Sequence, residues 1–321
     1  MPSRIGRKGS FRYLDGRGNA VRDAATIERF DRLAIPPAWK DVWIAARPGA
    51  KLQATGVDKA GRKQYIYHPD FRAEQDRAKF ERLVRFGERL PALRTAMAEH
   101  LDNSELDRDR VCAIALRLID LGWFRVGSDR HTRASGTFGV TTLRKRHVSV
   151  RGHRVRLEFV GKGRSQVRTS LVDDELAAAI RELLAVPGRG RLFRYERDGG
   201  MRDLTSRTLN EYVKAHLGDE FSAKDFRTWG GTLLAAVAFA ERNGNGDGKG
   251  AVMAVMRSVA ERLGNTPTVC RQSYVAPAVV EAYLEGRTLA DFRPRHLRMV
   301  AARQTGLDPE EAALLKLLNF R

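Results

Sequence analysis

Cysteine and long apolar runs are scarce in this sequence of 321 residues. The two cysteines, Cys112 and Cys270, form no Cys-x-x-Cys pair and lie near no histidine cluster, which argues against a disulfide framework and a zinc site. No apolar run approaches the roughly 20 residues that span a bilayer, and the N-terminus has no apolar signal core. We therefore expect reduced thiols, no bound metal, no membrane contact and a cytoplasmic location.

Acidic residues are also few relative to basic ones. Lys and Arg total 58 against 39 Asp and Glu, so the formal net charge is +19 and the sequence pI is about 10.5. An excess of this size favours a polyanionic partner, with nucleic acid ahead of an anionic membrane surface. The alternative is a basic surface that serves only solubility. The length and the 42% hydrophobic content are sufficient for two domains with real cores.

Residues 1–76 are predicted to form a β-rich N-terminal DNA-binding domain. The segments Phe11-Arg-Tyr-Leu, Asp41-Val-Trp-Ile and Gln64-Tyr-Ile-Tyr-His show strand patterns, and one helix is expected near Ala24 to Leu33. Within the last strand, Tyr65 and Tyr67 offer hydroxyls and ring faces.

The residues just before those tyrosines are basic. Arg62 and Lys63 can reach phosphate oxygens while the rings meet bases, so this segment is a candidate DNA contact. The alternative is a solvated hairpin whose tyrosines belong to the core.

Residues 77–321 are predicted to form a larger, mainly helical domain. Helical periodicity runs over Phe71 to Glu99, Asp109 to Leu121, Ala251 to Leu263 and Glu310 to Leu318. Between Thr142 and Val172, strand alternation with turns at Arg151-Gly152 and Gly161-Lys-Gly163 predicts a three-stranded antiparallel meander. Helices are expected again beyond Asp173. The segment Asn243 to Gly248 resembles a calcium loop but lacks the terminal Glu, so we interpret it as a connection.

Three cationic residues of this second region stand in unusual settings. Arg125 lies between Phe124 and Val126, and Lys162 lies on a narrow turn between two glycines. Arg227 follows Lys224 near the start of an apolar helix for which Ser222 is the expected cap. Cations at a helix N-terminus oppose the macrodipole, so an anionic ligand is expected there.

Each cation also has an ordinary explanation. Arg125 can form a structural ion pair with a carboxylate such as Asp120 or Asp129, and an exposed turn lysine such as Lys162 often has no role.

Tyr274 lies in the polar sequence Arg271-Gln-Ser-Tyr, after a turn that carries Asn265. A structural tyrosine with a packed ring is the alternative. Together with Arg125, Lys162 and Arg227, however, these residue types describe a phosphoryl transfer that needs no metal. A phenol is an oxygen nucleophile, arginines and an amide hold nonbridging oxygens, and a lysine protonates the departing oxygen.

The order and context of these residues closely resemble type IB DNA topoisomerases of the compact bacterial and poxvirus kind. The resemblance covers almost the whole chain. The matching segments are Ile35-Pro-Pro-Ala-Trp, Gln53-Ala-Thr-Gly, Gly61-Arg-Lys-Gln-Tyr, Phe124-Arg-Val-Gly, Gly139-Val-Thr-Thr-Leu, Phe159-Val-Gly-Lys, Lys224-Asp-Phe-Arg-Thr-Trp-Gly and Ser273-Tyr.

The resemblance implies that Tyr274 attacks one DNA strand and forms a 3′-phosphotyrosyl link, after which the duplex rotates and is religated. It implies that Arg125, Arg227 and Asn265 stabilise the transition state and that Lys162 is the general acid. Neither ATP nor metal is implied. Expected DNA contacts come from residues on both domains: Tyr65, Tyr67, Arg62, Lys63, Gln64, Lys224 and Ser273.

The implied fold is α+β, with the two domains forming a C-shaped clamp around duplex DNA, and we expect a nucleoid-associated monomer. The chain departs from the family pattern at two positions. Asn265 stands where many relatives carry His, and His131 stands where the pattern has a tyrosine, which puts a DNA contact by His131 in doubt. A tyrosine recombinase and a non-catalytic basic DNA-binding protein are the rival functions.

Overall fold

A computed structural model gives the fold and describes residues 2–6, 10–188, 190–242, 248–291 and 305–320. The chain forms two compact units, Met1–Lys79 and Phe80–Arg321. Both contain helices and antiparallel strands, so the fold is mixed α/β. Among the described helices, none combines the length and the hydropathy required to cross a bilayer.

The smaller unit is built on a five-stranded antiparallel sheet with the order β2-β1-β3-β4-β5. Its strands are β1 Ser3–Ile5, β2 Arg12–Leu14, β3 Lys40–Ile44, β4 Leu52–Val57 and β5 Lys63–Tyr67. Helix α1 (Ala24–Arg32) begins after Asp23, whose side chain accepts from the Thr26 backbone N–H. Phe30 of α1 packs with Tyr13 and Ile44 in a small core. The helix predicted near Ala24 is confirmed.

The larger unit is mainly helical. Its helices are α2 Pro69–Leu101 (which begins in the smaller unit), α3 Arg108–Gly122, α4 Asp129–Ser135, α5 Asp174–Ala185, α6 Ser206–Leu217, α7 Asp225–Ala240, α8 Gly248–Leu263, α9 Pro267–Ser273, α10 Pro277–Leu284 and α11 Pro309–Asn319. Helix α3 is central, because its side chains from Val111 to Ile119 are buried on all sides. Helix α7 is likewise almost wholly buried. The helical periodicities found in the sequence are confirmed.

Two small sheets complete the larger unit. The three-stranded antiparallel sheet consists of β6 Val148–Arg151, β7 Arg154–Val160 and β8 Gln166–Val172. This confirms the meander but corrects the start of its first strand. Two short 3-10 turns, Val140–Thr142 and Lys145–His147, precede β6, because Thr142 Oγ1 and the His147 ring accept local backbone N–H groups.

Two further predictions were wrong in detail. A hairpin of β9 (Arg194–Arg197) and β10 (Gly200–Asp203) interrupts the region expected to be helical. Ser222 is not the acceptor that caps α7, because its backbone N–H and hydroxyl both donate to the Asp225 carboxylate. The connection expected at Asn243 to Gly248 lies almost entirely outside the described residues.

Both cysteines, Cys112 and Cys270, are buried free thiols, as the sequence predicted. Burial raises the pKa of the Cys112 thiol to about 12, which keeps it protonated and unreactive.

Candidate active site

A cavity of about 560 Å³ lies in the larger unit, between the β7–β8 hairpin and the C-terminal ends of α3 and α8. Arg125, Lys162 and Arg227 all line it, together with Gly264. These residues come from segments that are far apart in sequence. The fold therefore brings together the three cations that the sequence singled out.

Arg227 is held at the start of α7 with only 4% of its surface exposed. Its NH1 group donates to the Trp123 carbonyl just past α3, and its NH2 group donates to the Leu263 carbonyl at the end of α8 at 2.8 Å. Two carbonyls thus fix the guanidinium.

Arg125 is half-buried and binds the loop that follows α8, next to the Leu263 carbonyl that binds Arg227. Its NH2 group donates to the Gly264 carbonyl at 2.8 Å and to Asn265 Oδ1 at 2.5 Å. The ion pair considered from the sequence is not formed, because Asp120 binds Arg94 and Asp129 binds Arg191.

Two consecutive backbone carbonyls at the C-terminal end of α8 bind the two arginines. Helix α8 ends at Leu263, and the next residue, Gly264, has φ of 60°, a left-handed conformation that glycine adopts without steric cost. The consecutive carbonyls of Leu263 and Gly264 therefore point at the two guanidinium groups. Cations at a helix C-terminus also interact favourably with the macrodipole.

Two buried donors at the site have no hydrogen-bond partner among the described residues: Arg227 Nε and Asn265 Nδ2. The Asn265 side-chain oxygen accepts from Arg125, and its N–H groups remain available to donate to a ligand. Within the described residues, no carboxylate lies in salt-bridge range of Arg125, Lys162 or Arg227. Buried polar groups are normally satisfied, so this pattern indicates a site for an anion.

The electrostatics of the two arginines are consistent with this interpretation. Burial lowers the pKa of Arg227, and the neighbouring Tyr274 and Cys270 oppose that shift. Burial also lowers the pKa of Arg125, and the positive charge of Arg227 lowers it further. The two guanidinium groups are thus close enough to repel each other, and an anion between them would relieve that repulsion.

Tyr274 follows the last residue of α9 as its C-cap rather than lying inside a helix. The residue is half-buried, and the Arg227 guanidinium carbon lies 5.1 Å from the centre of its ring. Tyr274 is therefore in contact with the catalytic candidate Arg227 and is not sealed in the core.

The backbone of Tyr274 is fixed by α7 at positions that the sequence analysis did not select. Thr232 Oγ1 donates to the Tyr274 carbonyl at 3.2 Å and accepts from the Ala276 N–H at 3.1 Å. At Gly231, an added Cβ would lie only 2.7 Å from the Tyr274 carbonyl oxygen. Paired glycines inside an apolar helix were the available signal, because glycine is unfavourable there without a close approach.

Lys162 lies in a short 3-10 turn, Lys162–Arg164, that joins β7 to β8. The turn is held by Ser165, whose hydroxyl donates to the Lys162 carbonyl at 3.1 Å, and by Gly163 with φ of 72°. The Lys162 side chain is exposed and lines the cavity. Among the described residues, no hydrogen bond joins Lys162 to Tyr274.

The expected DNA-contact residues of the smaller unit lie on and beside β5. Tyr65 and Tyr67 are 50% and 45% exposed and stack with ring centres 6.2 Å apart, so neither is a core aromatic. Lys63 extends over the Tyr65 ring at 5.9 Å. Arg62 and Gln64 both bind the Asp58 carboxylate.

The remaining expected contacts lie on the larger unit. Lys224 is exposed immediately before α7, and Ser273 is half-buried beside Tyr274. His131 is exposed, and its ring lies 2.7 Å from the Ser128 hydroxyl.

Comparison with known proteins gives two family matches. Residues 68–287 match the family described as eukaryotic DNA topoisomerase I, catalytic core, and residues 10–58 match bacterial DNA topoisomerase IB, N-terminal domain. The chain is 31% identical to DNA topoisomerase 1B of Acanthamoeba polyphaga mimivirus over 289 residues, covering 87% of this chain and 85% of the relative. It is 21% identical to DNA topoisomerase 1B of vaccinia virus strain Copenhagen, covering 81% and 82%.

Proposed function

The chain belongs to the type IB DNA topoisomerases, and we propose that it relaxes duplex DNA by using Tyr274 as the nucleophile. The phenolic oxygen attacks a backbone phosphorus and its proton passes to solvent, the bond from phosphorus to the 5′-oxygen breaks, and a 3′-phosphotyrosyl link forms. Rotation about the intact strand then removes positive or negative supercoils. The 5′-hydroxyl reverses the reaction and restores the strand.

In this mechanism the cavity cations stabilise the charge that grows on the nonbridging oxygens. Arg125, Arg227 and the Asn265 amide donate to those oxygens, and each is already fixed by protein contacts before DNA binds. Lys162, on the turn that lines the same cavity, gives a proton to the departing 5′-oxygen.

The observation that carries this proposal is a pair of arginines, Arg227 buried and Arg125 half-buried, that have no carboxylate partner among the described residues. Leaving a cation unpaired where it is wholly or partly removed from water costs free energy, so a chain that does so at two neighbouring positions provides for an anionic ligand. A phosphodiester has the charge and the oxygen geometry that two guanidinium groups and an amide bind.

We further propose that the two units act as a clamp, with Tyr65, Tyr67, Arg62, Lys63 and Gln64 meeting DNA from one unit. Lys224 and Ser273 would contact DNA from the other unit. The exposed stacked tyrosines and the net charge of +19 support this proposal. The enzyme would act as a monomer on the DNA of the nucleoid in the cytoplasm.

Relaxation of a supercoiled plasmid in EDTA tests the function. The enzyme should relax the plasmid without ATP, and Tyr274→Phe should abolish relaxation while DNA binding persists. A non-catalytic DNA-binding protein gives no relaxation with either chain. A tyrosine recombinase would instead exchange strands between two duplexes, which gel analysis of paired labelled substrates detects.

A further inference from the structure

Helix α11, at the C-terminal end of the chain, lies outside the residues 68–287 that the catalytic family matches. Its residue Glu311 is nevertheless 3% exposed and lies at the centre of a buried polar cluster. Glu311 Oε1 accepts from Trp229 Nε1 at 3.0 Å and from Arg94 NH2 at 2.9 Å. Its Oε2 accepts from Arg94 NH1 at 2.7 Å.

The first connection from this cluster to the active site runs along α7. Trp229 is two residues beyond Arg227 on the same helix and is 1% exposed. Its indole is packed so closely that a Cβ added at Gly87 would lie 2.5 Å from the ring. The hydrogen bond to Glu311 therefore fixes how α7 is rotated about its axis at the level of Arg227.

The second connection runs through α3. Arg94 binds Glu311 on one side and both oxygens of Asp120 on the other, at 2.8 and 2.9 Å. Asp120 lies three residues before Trp123, whose carbonyl accepts from Arg227. One carboxylate thus tethers both the helix that carries Arg227 and the chain segment that anchors its guanidinium.

We propose that Glu311 is a positioning residue for the reaction, which holds Arg227 in place for the transition state through Trp229, Arg94 and Asp120. This inference rests on the role of Arg227 given under the proposed function. Glu311 itself touches neither Tyr274 nor the cavity that holds the cations.

The composition of the cluster supports positioning rather than simple packing. Apolar residues of similar volume would stabilise a core as well as a buried ion network does, so a network is useful where geometry must be specified. Burial alone would lower the pKa of Arg94, but the charges of Asp120 and Glu311 outweigh it and raise that pKa. The cation therefore stays charged and bridges α3 to α11.

The test uses the full chain with four substitutions, one of them the reference Arg227→Ala, and two substrates. Glu311→Gln removes one of the two carboxylate charges that bind Arg94, whereas Trp229→Phe removes the indole donor and some volume while keeping a buried ring. Glu211→Gln is the matched control, because Glu211 also accepts from arginine side chains but does so at the surface of α6. Single-turnover cleavage at saturating DNA is measured on a normal phosphodiester and on a methylphosphonate, which lacks the negative charge that Arg227 offsets.

We expect Glu311→Gln to slow cleavage of the phosphodiester about 10- to 100-fold, as misplacement of a reacting group does. The defect should shrink severalfold or more on the methylphosphonate, because a neutral ester depends less on a guanidinium. Trp229→Phe should show a smaller defect with the same dependence on the ester, and Glu211→Gln should show none.

Arg227→Ala is the reference that separates the two proposals. If its defect shrinks on the methylphosphonate but the defects of Glu311→Gln and Trp229→Phe are equal on both esters or absent, the positioning inference is wrong and the proposed function stands. If the Arg227→Ala defect itself does not depend on the ester, the proposed role of Arg227 fails, and the inference fails with it. Should Glu311→Gln not fold, Trp229→Phe alone decides.

Discussion

Buried arginines in the larger unit fall into two groups that differ in whether a carboxylate binds the guanidinium. Arg94 and Arg117 are each about nine-tenths buried, and each binds the carboxylate of a neighbour, Asp120 or Asp173, at 2.8 and 2.7 Å. Arg227 is buried as deeply, but within the described residues it binds two backbone carbonyls and the Tyr274 ring and has no carboxylate partner. The first group belongs to the architecture, whereas the second leaves its charge for a ligand. The difference identifies the active site more clearly than burial or charge alone.

The largest expected effect within this comparison is at Lys162, the cavity cation that is exposed rather than buried. Lys162→Ala should slow cleavage by roughly 10² to 10⁴, the usual contribution of a positioned proton donor. A substrate with sulfur at the departing 5′ position needs little protonation, so it should restore the rate. If the sulfur substrate is cleaved as slowly as the oxygen substrate, Lys162 is not the general acid.

The comparison is tested most sharply by substituting one arginine from each group. Arg227→Ala should lower the cleavage rate about 10² to 10³-fold, as loss of one transition-state donor does. Arg117→Ala should cost about 3–5 kcal/mol of unfolding free energy, because Asp173 is left buried without a partner. Cleavage rates measured well below the melting temperature, together with urea denaturation, separate the two outcomes.

The expected result is that each variant fails in a different assay. A large loss of stability in Arg227→Ala combined with an unchanged rate, or the reverse in Arg117→Ala, would remove the distinction between the two groups.

A smaller effect, on DNA affinity, is expected in the smaller unit, which also contains one cation with a carboxylate partner and one without. Lys63 has no carboxylate partner among the described residues, whereas Arg62 is paired with Asp58. Lys63→Ala should weaken DNA binding and reduce the slope of log affinity against log salt by about 1. Arg62→Ala should change the slope less, because Asp58 already offsets its charge. Equal slopes for both variants and the unsubstituted chain would place this strand away from the phosphates.

The smallest effect concerns pH. The Asn265 amide donates without titrating, so the cleavage rate should show no change near pH 6.5 that depends on this position. Asn265→His should introduce such a change, because an imidazole titrates in that range. Rate profiles from about pH 5 to 8 for the unsubstituted chain, Asn265→His and Asn265→Ala provide the measurement. A limb near 6.5 that disappears in Asn265→Ala would contradict the prediction.

Much of the site could be predicted because its residues violate local rules. Arg125 between apolar neighbours, Arg227 at the start of an apolar helix and Tyr274 in a polar setting each stand out in a short window. The helices could be predicted equally well, since α3 and α8 carry clear periodicity and Gly264 directly follows the last residue of α8.

The rest depends on contacts between distant segments. The carbonyls of Leu263 and Gly264 that anchor the arginines have no signal in side-chain chemistry. Likewise, Trp229 and Glu311 are 82 residues apart, so no local sequence pattern predicts the hydrogen bond between them. The misplaced start of β6 has a local cause, because Thr142 and His147 bond to nearby backbone where alternation had suggested a strand.

The most direct measurement is the identity of the residue that becomes joined to DNA. The enzyme is trapped on a duplex in which the departing fragment, which carries the new 5′-hydroxyl, is too short to remain bound. The complex is then digested, and the adduct is mapped by mass spectrometry. The account predicts a single adduct, with the 3′-phosphate of DNA on the Tyr274 oxygen. An adduct on another residue, a link through a 5′-phosphate, or an unchanged yield of adduct in Tyr274→Phe would contradict it.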